Sequence, residues 1–112
     1  MVNINSFVDE IVTDLATEFS NDETFDINVL TVKVKIVAKE LIELRNYSAT
    51  AMTDEEIEDD IERFYSQVMN VARYDYNQIG AEGESSHNEN GINRSFVDRK
   101  SLWNGVIPFA GV

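Results

Sequence analysis

Residues 26–47 read "DINVLTVKVKIVAKELIELRNY", and this stretch decides whether the chain is helical or mixed. The segment "VKVKI" at 32–36 alternates β-branched and basic residues with a period of two, which is typical of a strand. Against that, "AKELIELR" consists of strong helix formers. Apolar residues also recur at spacings of three and four, which favours a helix over about 26–47; they are Ile27, Leu30, Val34, Val37, Leu41 and Leu44. The strand alternative for 32–36 stays open at this stage.

The flanking sequence predicts two more helices. Apolar residues at every fourth position from Phe7 to Phe19 indicate a helix over about 6–19, with Ser6 as its N-cap. Thr53 followed by Glu56 is a capping-box pattern, which starts a third helix over about 53–79. Three helices with short linkers predict an all-α fold, a small antiparallel bundle of residues 1–80.

The loop that follows the third helix is long and polar. Gly80 is expected to end the helix, and Asn90–Gly91 is a strong turn signal for a short β-hairpin. Its polar flanks would leave such a hairpin marginal unless another surface orders it. The predicted assembly loop comprises Gly80, Glu82, Gly83, Glu84, His87, Asn90, Gly91 and Arg94.

An apolar tail ends the sequence. With the loop it forms residues 81–112, which we expect to belong to the same single domain as the helices. Two interpretations are open: the tail completes the core, or it docks on another chain with its aromatic residues as anchors. The predicted interface adds to the tail a second apolar ridge of the third helix, and comprises Tyr65, Met69, Tyr76, Phe96, Leu102, Trp103, Val106, Ile107, Pro108 and Phe109.

Charge and composition restrict the function classes. The 112 residues carry a net charge of −12, all of it within residues 1–62, while residues 63–112 are neutral overall. This sign argues against a protein that seeks the phosphates of nucleic acids. The chain has no cysteine, no apolar run of the length that spans a membrane and no basic leader. We therefore expect a soluble protein made in the cytoplasm.

No motif for catalysis or metal binding stands out. His87, the one histidine, has a neighbouring glutamate but no further ligands, so a metal site is not expected. "GAEGE" at 80–84 follows a helix and lacks a lysine, unlike a phosphate-binding loop. "TDEEIEDDIE" at 53–62 lacks the glycine and ligand spacing of a calcium loop. The sequence thus predicts a non-enzymatic protein without a cofactor.

Residues 45–109 resemble the head-tail connector (adaptor, or DNA-packaging) proteins of tailed phages. The most specific parts are "YDYNQIGAEGESSHNENGI" at 74–92, where a long helix meets a glycine- and glutamate-bearing loop, and "GVIPF" at 105–109. The first 44 residues match only as generic acidic helices.

The resemblance implies a structural virion protein at the head-tail junction, present in the host cytoplasm before assembly. It implies a homo-oligomeric ring, about twelve subunits by the family's pattern, that contacts the portal protein and the next tail-side component. Viral DNA would pass through the ring without sequence-specific binding, which suits an acidic protein. The alternative is an acidic helical binding protein or DNA-mimic inhibitor, which would leave the apolar tail unexplained.

Overall fold

The computed structural model describes the backbone of residues 2–83 and 99–109, and the side chains of residues 2–78 and 99–109. This part of the chain is all-α and contains no strand. Its α-helices are α1 (Asn5–Glu18), α2 (Ile27–Arg45), α3 (Asp54–Glu62) and α4 (Tyr65–Gly83), with 3₁₀ helices at Tyr47–Ala49 and Arg99–Trp103. The all-α prediction is confirmed, and the strand alternative for 32–36 is wrong because these residues lie within α2.

Both ends of α2 have clear local causes. The Asp26 carboxylate accepts hydrogen bonds from the backbone N–H groups of Asn28 (2.9 Å) and Val29 (3.3 Å), which caps the N-terminus. At the other end Asn46 adopts a left-handed conformation with φ of 58°, one of the few side chains that tolerate it. The helix therefore ends two residues earlier than predicted.

The predicted helix 53–79 is two helices. The capping box is present: Thr53 Oγ1 accepts from the Glu56 N–H, and the Glu56 carboxylate accepts from the Thr53 N–H. The N–H groups of Arg63 and Phe64 then bond three residues back, so the chain tightens there before α4 begins. No glycine or proline marks this turn, so tertiary contacts at Asp60 and Phe64 set the break.

Two predicted boundaries are also wrong. Ser6 is not the N-cap of α1, which begins at Asn5, whose N–H bonds to the side chain of Asn3 (2.9 Å). Gly80 does not stop α4, which continues to Gly83. A glycine costs a helix only about 1 kcal/mol relative to alanine, so it permits a helix end without enforcing one.

The core lies where α2 packs against α1 and α4, which also contact each other. Its largest fully buried side chains are Ile11, Leu15, Leu30, Val34, Val37, Leu41, Ile61, Val68 and Val71. The two ends of the predicted α2 stripe, Ile27 and Leu44, are more exposed and lie outside this core. Near the turn from α1 into α2, the ring of Phe19 packs on those of Phe25 and Tyr76 at centroid distances of 5.7 and 5.1 Å.

Candidate docking site at the C-terminal segment

A buried ion pair joins the end of α2 to α3. Arg45 Nε donates to Asp60 Oδ2 at 2.9 Å, and Arg45 Nη2 donates to Asp60 Oδ1 at 3.1 Å, a two-point contact. Both side chains are less than a tenth exposed. A charge removed from water in this way is stable only when its remaining hydrogen-bonding positions are also filled.

Two neighbours complete the environment of the Asp60 carboxylate. The Tyr47 hydroxyl donates to Oδ2 at 2.6 Å, and Arg63 Nη1 donates to Oδ1 at 2.9 Å. Burial by itself would raise the pKa of Asp60, but the hydrogen bonds from Arg45 and Tyr47 outweigh it and hold the pKa below its usual value. Burial and the Asp60 carboxylate raise the pKa of Tyr47, so its hydroxyl stays a donor.

The Arg45 side of the pair depends on the C-terminal segment. Arg45 Nη1 donates to the carbonyl of Ile107, and the Arg45 carbonyl accepts from the N–H of Phe109 at 2.9 Å. The guanidinium carbon lies 4.2 Å from the centre of the Phe109 ring and 4.9 Å from that of Phe64. Asn46 Nδ2 also donates to the Phe109 carbonyl at 3.1 Å. Residues 107–109 are thus fixed on the end of α2.

A second arginine holds the beginning of this segment. Arg99 pairs with the carboxylates of Glu40 on α2 and Asp75 on α4, each through two hydrogen bonds of 2.7 to 2.9 Å. The hydrogen bonds that Arg99 donates to Asp75 and Glu40 raise its pKa above the ordinary value despite partial burial. Between the two arginines, Gln67 Nε2 donates to the carbonyls of Leu102 and Asn104. The segment 99–109 is therefore tied to both α2 and α4.

Trp103 fills the core beneath this segment and is 9% exposed. Its indole Nε1 has no hydrogen-bond partner among the described residues. Gly105 follows with φ of +91°, a conformation that L side chains rarely adopt, and the chain then turns back toward α2. Trp103 therefore fits the first of the two interpretations of the tail, in which the tail completes the core.

The remaining predicted interface residues divide by exposure. Those packed against their own core and half-buried are Tyr65, Met69, Tyr76, Leu102, Val106 and Phe109. Tyr65 meets the Phe7 ring edge-on and its hydroxyl bonds to Asp14, so the second ridge of the predicted third helix faces α1. Ile107, 67% exposed, and Pro108 remain at the surface. Among the described residues of the predicted site, this pair is the exposed apolar surface.

Most of the predicted assembly loop lies outside the described residues, as does Phe96. This applies to Glu84, His87, Asn90, Gly91 and Arg94, and to the hairpin expected at Asn90–Gly91. Gly80, Glu82 and Gly83 belong to the last turns of α4, so this part of the predicted loop is helical. The side chain of Glu82 lies outside the described residues.

Sequence reasoning missed Arg45, Asp60 and Arg99. A signal existed for the first two, since Arg45 follows Leu41 by four residues and Asp60 follows Ile57 by three, each on the buried stripe of its helix. A charged residue at a position where the period requires an apolar one indicates a buried pair. Arg99 gave no such signal, because its partners come from two distant helices.

Within the described residues, no cluster of three or more acidic or histidine side chains could hold a metal ion. The helices of this part are also too short or too polar to cross a membrane. No family model, no curated protein and no solved structure shows a significant match to the chain. The sequence segments quoted above therefore remain the whole basis of the resemblance to connector proteins.

Replacing Asp60 by alanine should make the protein much less stable against unfolding. The change leaves Arg45 buried without its partner, and we expect the free energy of unfolding to fall by about 3–5 kcal/mol. The matched control is Asp59→Ala, because Asp59 is exposed and should change stability by about 0.5 kcal/mol at most. Urea unfolding followed by circular dichroism measures both, and equal midpoints would contradict a structural role for the pair.

The same pair should make the free energy of unfolding depend on pH in the acidic range. Because the pKa of Asp60 is lower in the folded protein than its unfolded value of about 3.9, its contribution is complete above that value and is lost as the pH falls through the folded pKa. The difference in unfolding free energy between the parent protein and Asp60→Asn should be constant above about pH 5 and shrink below about pH 4. A difference that stays level down to about pH 2 would show that folding does not lower the pKa of Asp60.

Trp103→Ala should destabilise the fold by about 3–5 kcal/mol, the usual cost of truncating a buried aromatic residue, and Trp103→Phe should cost less. Ile107→Ala is the control within the same segment, with an expected change of about 0.5 kcal/mol or less because its side chain is exposed. Thermal unfolding would rank the three variants. If Trp103→Ala has the same melting temperature as the parent protein, Trp103 does not stabilise the core.

Proposed function

We propose that this chain is a structural, non-enzymatic virion protein, a head-tail connector that assembles as a ring beneath the portal of a tailed phage. The family named in this proposal comes from the resemblance of residues 45–109 to connector proteins. It places the protein in the host cytoplasm before assembly and at the head-tail junction afterwards. Viral DNA would pass through the lumen, where an acidic chain has little tendency to retain it.

The fixed C-terminal segment is the observation that carries the proposal. Ile107 presents its side chain to solvent while its own carbonyl is held by Arg45. Pro108 restricts the backbone beside it, and the ring of Phe109 lies against Arg45. An exposed apolar pair on a rigid support loses little conformational freedom when it binds, which favours docking to another protein. We assign the Ile107–Pro108 pair to the contact with the portal or the adjacent tail component.

The subunit of this ring is inferred to be an antiparallel bundle of α1, α2 and α4. The start of α2 lies beside the middle of α4, since the Asp26 N–H donates to the Tyr76 hydroxyl, and the end of α2 lies beside the start of α4 through Arg45 and Phe64. Arg73 on α4 pairs with Glu18 at the end of α1. These contacts support up-down-up packing.

The acidic face of α3 favours a second candidate, an inhibitor that mimics DNA. Glu55, Glu56, Asp59 and Glu62 expose their side chains on this short helix. Such a protein would act as a monomer or dimer and would bind a basic, DNA-binding partner. The inhibitor function does not explain why the side chain of Ile107 is exposed.

The mass of the protein, alone and mixed with the portal encoded in the same genome, tests the proposal. Native mass spectrometry or light scattering should find a ring or a stoichiometric complex with the portal. Ile107→Asp should weaken portal binding about tenfold or more, as expected for an apolar anchor. The matched control is Ile27→Asp, which alters an exposed isoleucine at the first residue of α2, where a carboxylate is tolerated. A monomer or dimer that ignores the portal and binds a basic protein would favour the inhibitor.

A further inference from the structure

The outward face of α2 carries an apolar pair without a partner in the described part of the chain. Val32 and Ile36 are 54% and 53% exposed, and their spacing of four residues puts them side by side on the helix. They lie opposite the buried row of Leu30, Val34 and Leu41, which packs toward α1 and α4. Exposed β-branched residues in mid-helix are unfavourable for an isolated subunit, because they gain neither helix propensity nor burial.

Basic residues flank this pair along α2. Three of the four lysines in the sequence, Lys33, Lys35 and Lys39, belong to α2. Lys35 and Lys39 are exposed on the same side as Ile36, and no ion pair of the described residues involves any of the three. On a chain of net charge −12, this face is a local concentration of positive charge. We call Val32, Lys35, Ile36 and Lys39 the α2 face.

A groove of opposite charge lies between the start of α1 and α3. It has a volume of about 260 Å³, and we call it the α1–α3 groove. Its carboxylates are Glu58, Asp59 and Glu62, and its apolar floor includes Phe7 and Ile61. Glu58 accepts a hydrogen bond from the Asn3 N–H, while Asp59 and Glu62 are exposed on the rim. No residue of α2 lines the groove, so the two surfaces are separate.

We propose that the α2 face of one copy docks in the α1–α3 groove of the next copy. This inference rests on the proposed function in taking the chain to self-assemble, and it names the two surfaces that meet. Charge selects this pairing over the symmetric ones. Two α2 faces would bring lysines of both copies together, and two grooves would oppose carboxylates, whereas face against groove pairs opposite signs around an apolar centre.

A contact between two different surfaces is head-to-tail, so a pair of copies still has one free face on one copy and one free groove on the other. Contacts of this kind close into a ring when the rotation between copies permits. The exposed charges on both sides make the contact sensitive to salt, because they lie in water where counter-ions screen them. The same pairing removes Val32 and Ile36 from solvent in every subunit of a closed ring.

Because the sequence contains no cysteine, single-cysteine variants permit a direct test. Ile36→Cys and Glu62→Cys are treated with a short bis-maleimide, each alone and in an equimolar mixture, over a series of protein concentrations. We expect the mixture to give several times more covalent dimer than either variant alone. A chain carrying both substitutions should give a ladder of oligomers. The control pairs Glu62→Cys with Asn21→Cys, an exposed position in the turn between α1 and α2.

Charge exchange provides the second arm. Lys35→Glu with Lys39→Glu should lower the mixed cross-link yield several-fold, and Asp59→Lys in the Glu62→Cys partner should restore part of it. Circular dichroism of each variant checks that the helices are intact, which is expected because every substituted side chain is exposed. Cross-linking of Ile36→Cys with itself at the yield of the mixture would overturn the proposal in favour of a symmetric contact. A mixture no better than the Asn21→Cys control would overturn it as well.

These outcomes separate the inference from the proposed function. If native mass spectrometry finds a ring or a portal complex while the specific cross-links are absent, the proposed function survives and the assignment of surfaces is wrong. If the cross-links form but the portal is not bound, the interface stands and the connector role fails.

Discussion

The buried pair of Arg45 and Asp60 is the constraint on which the rest of this structure depends. A guanidinium and a carboxylate that leave water must have their hydrogen-bonding positions filled. Here the groups that complete the environment of the pair belong to four other residues. Tyr47 and Arg63 complete the carboxylate, while the carbonyl of Ile107 and the ring of Phe109 complete the guanidinium. The pair therefore connects α2, α3 and the C-terminal segment at one point of the fold.

This connection explains how a small chain holds an apolar tail that forms no α-helix in its described part. Gly105 and Pro108 prevent a regular helix, so the backbone groups of the tail need partners elsewhere, and Arg45, Asn46 and Gln67 provide them. Trp103 then adds burial beneath the segment. The same anchoring leaves Ile107 in solvent on a fixed backbone, so one segment both completes the core and displays an apolar group.

Segregation of charge gives the surface its second feature. The acids concentrate on α1 and α3, whereas the lysines that form no ion pair within the described residues concentrate on α2 around Val32 and Ile36. Mixed charges scattered over a surface favour solubility, but opposite charges collected on separate faces favour ordered association of copies. A ring of connector subunits would use both features, with α2 and the α1–α3 groove between neighbours and Ile107 toward the portal.

Sequence by itself determined the all-α character, because the helical period of 27–44 and the helix formers of 38–45 outweighed the short alternation at 32–36. It also determined the capping box at Thr53, which depends on residues three apart. Tertiary structure alone decided the break at Arg63–Phe64, the path of the tail and the double pairing of Arg99 with Glu40 and Asp75. These features depend on groups distant in sequence, and no local pattern encodes which distant charge will fill a buried site. Apolar composition identified the tail, but only packing separated the buried Trp103 from the exposed Ile107.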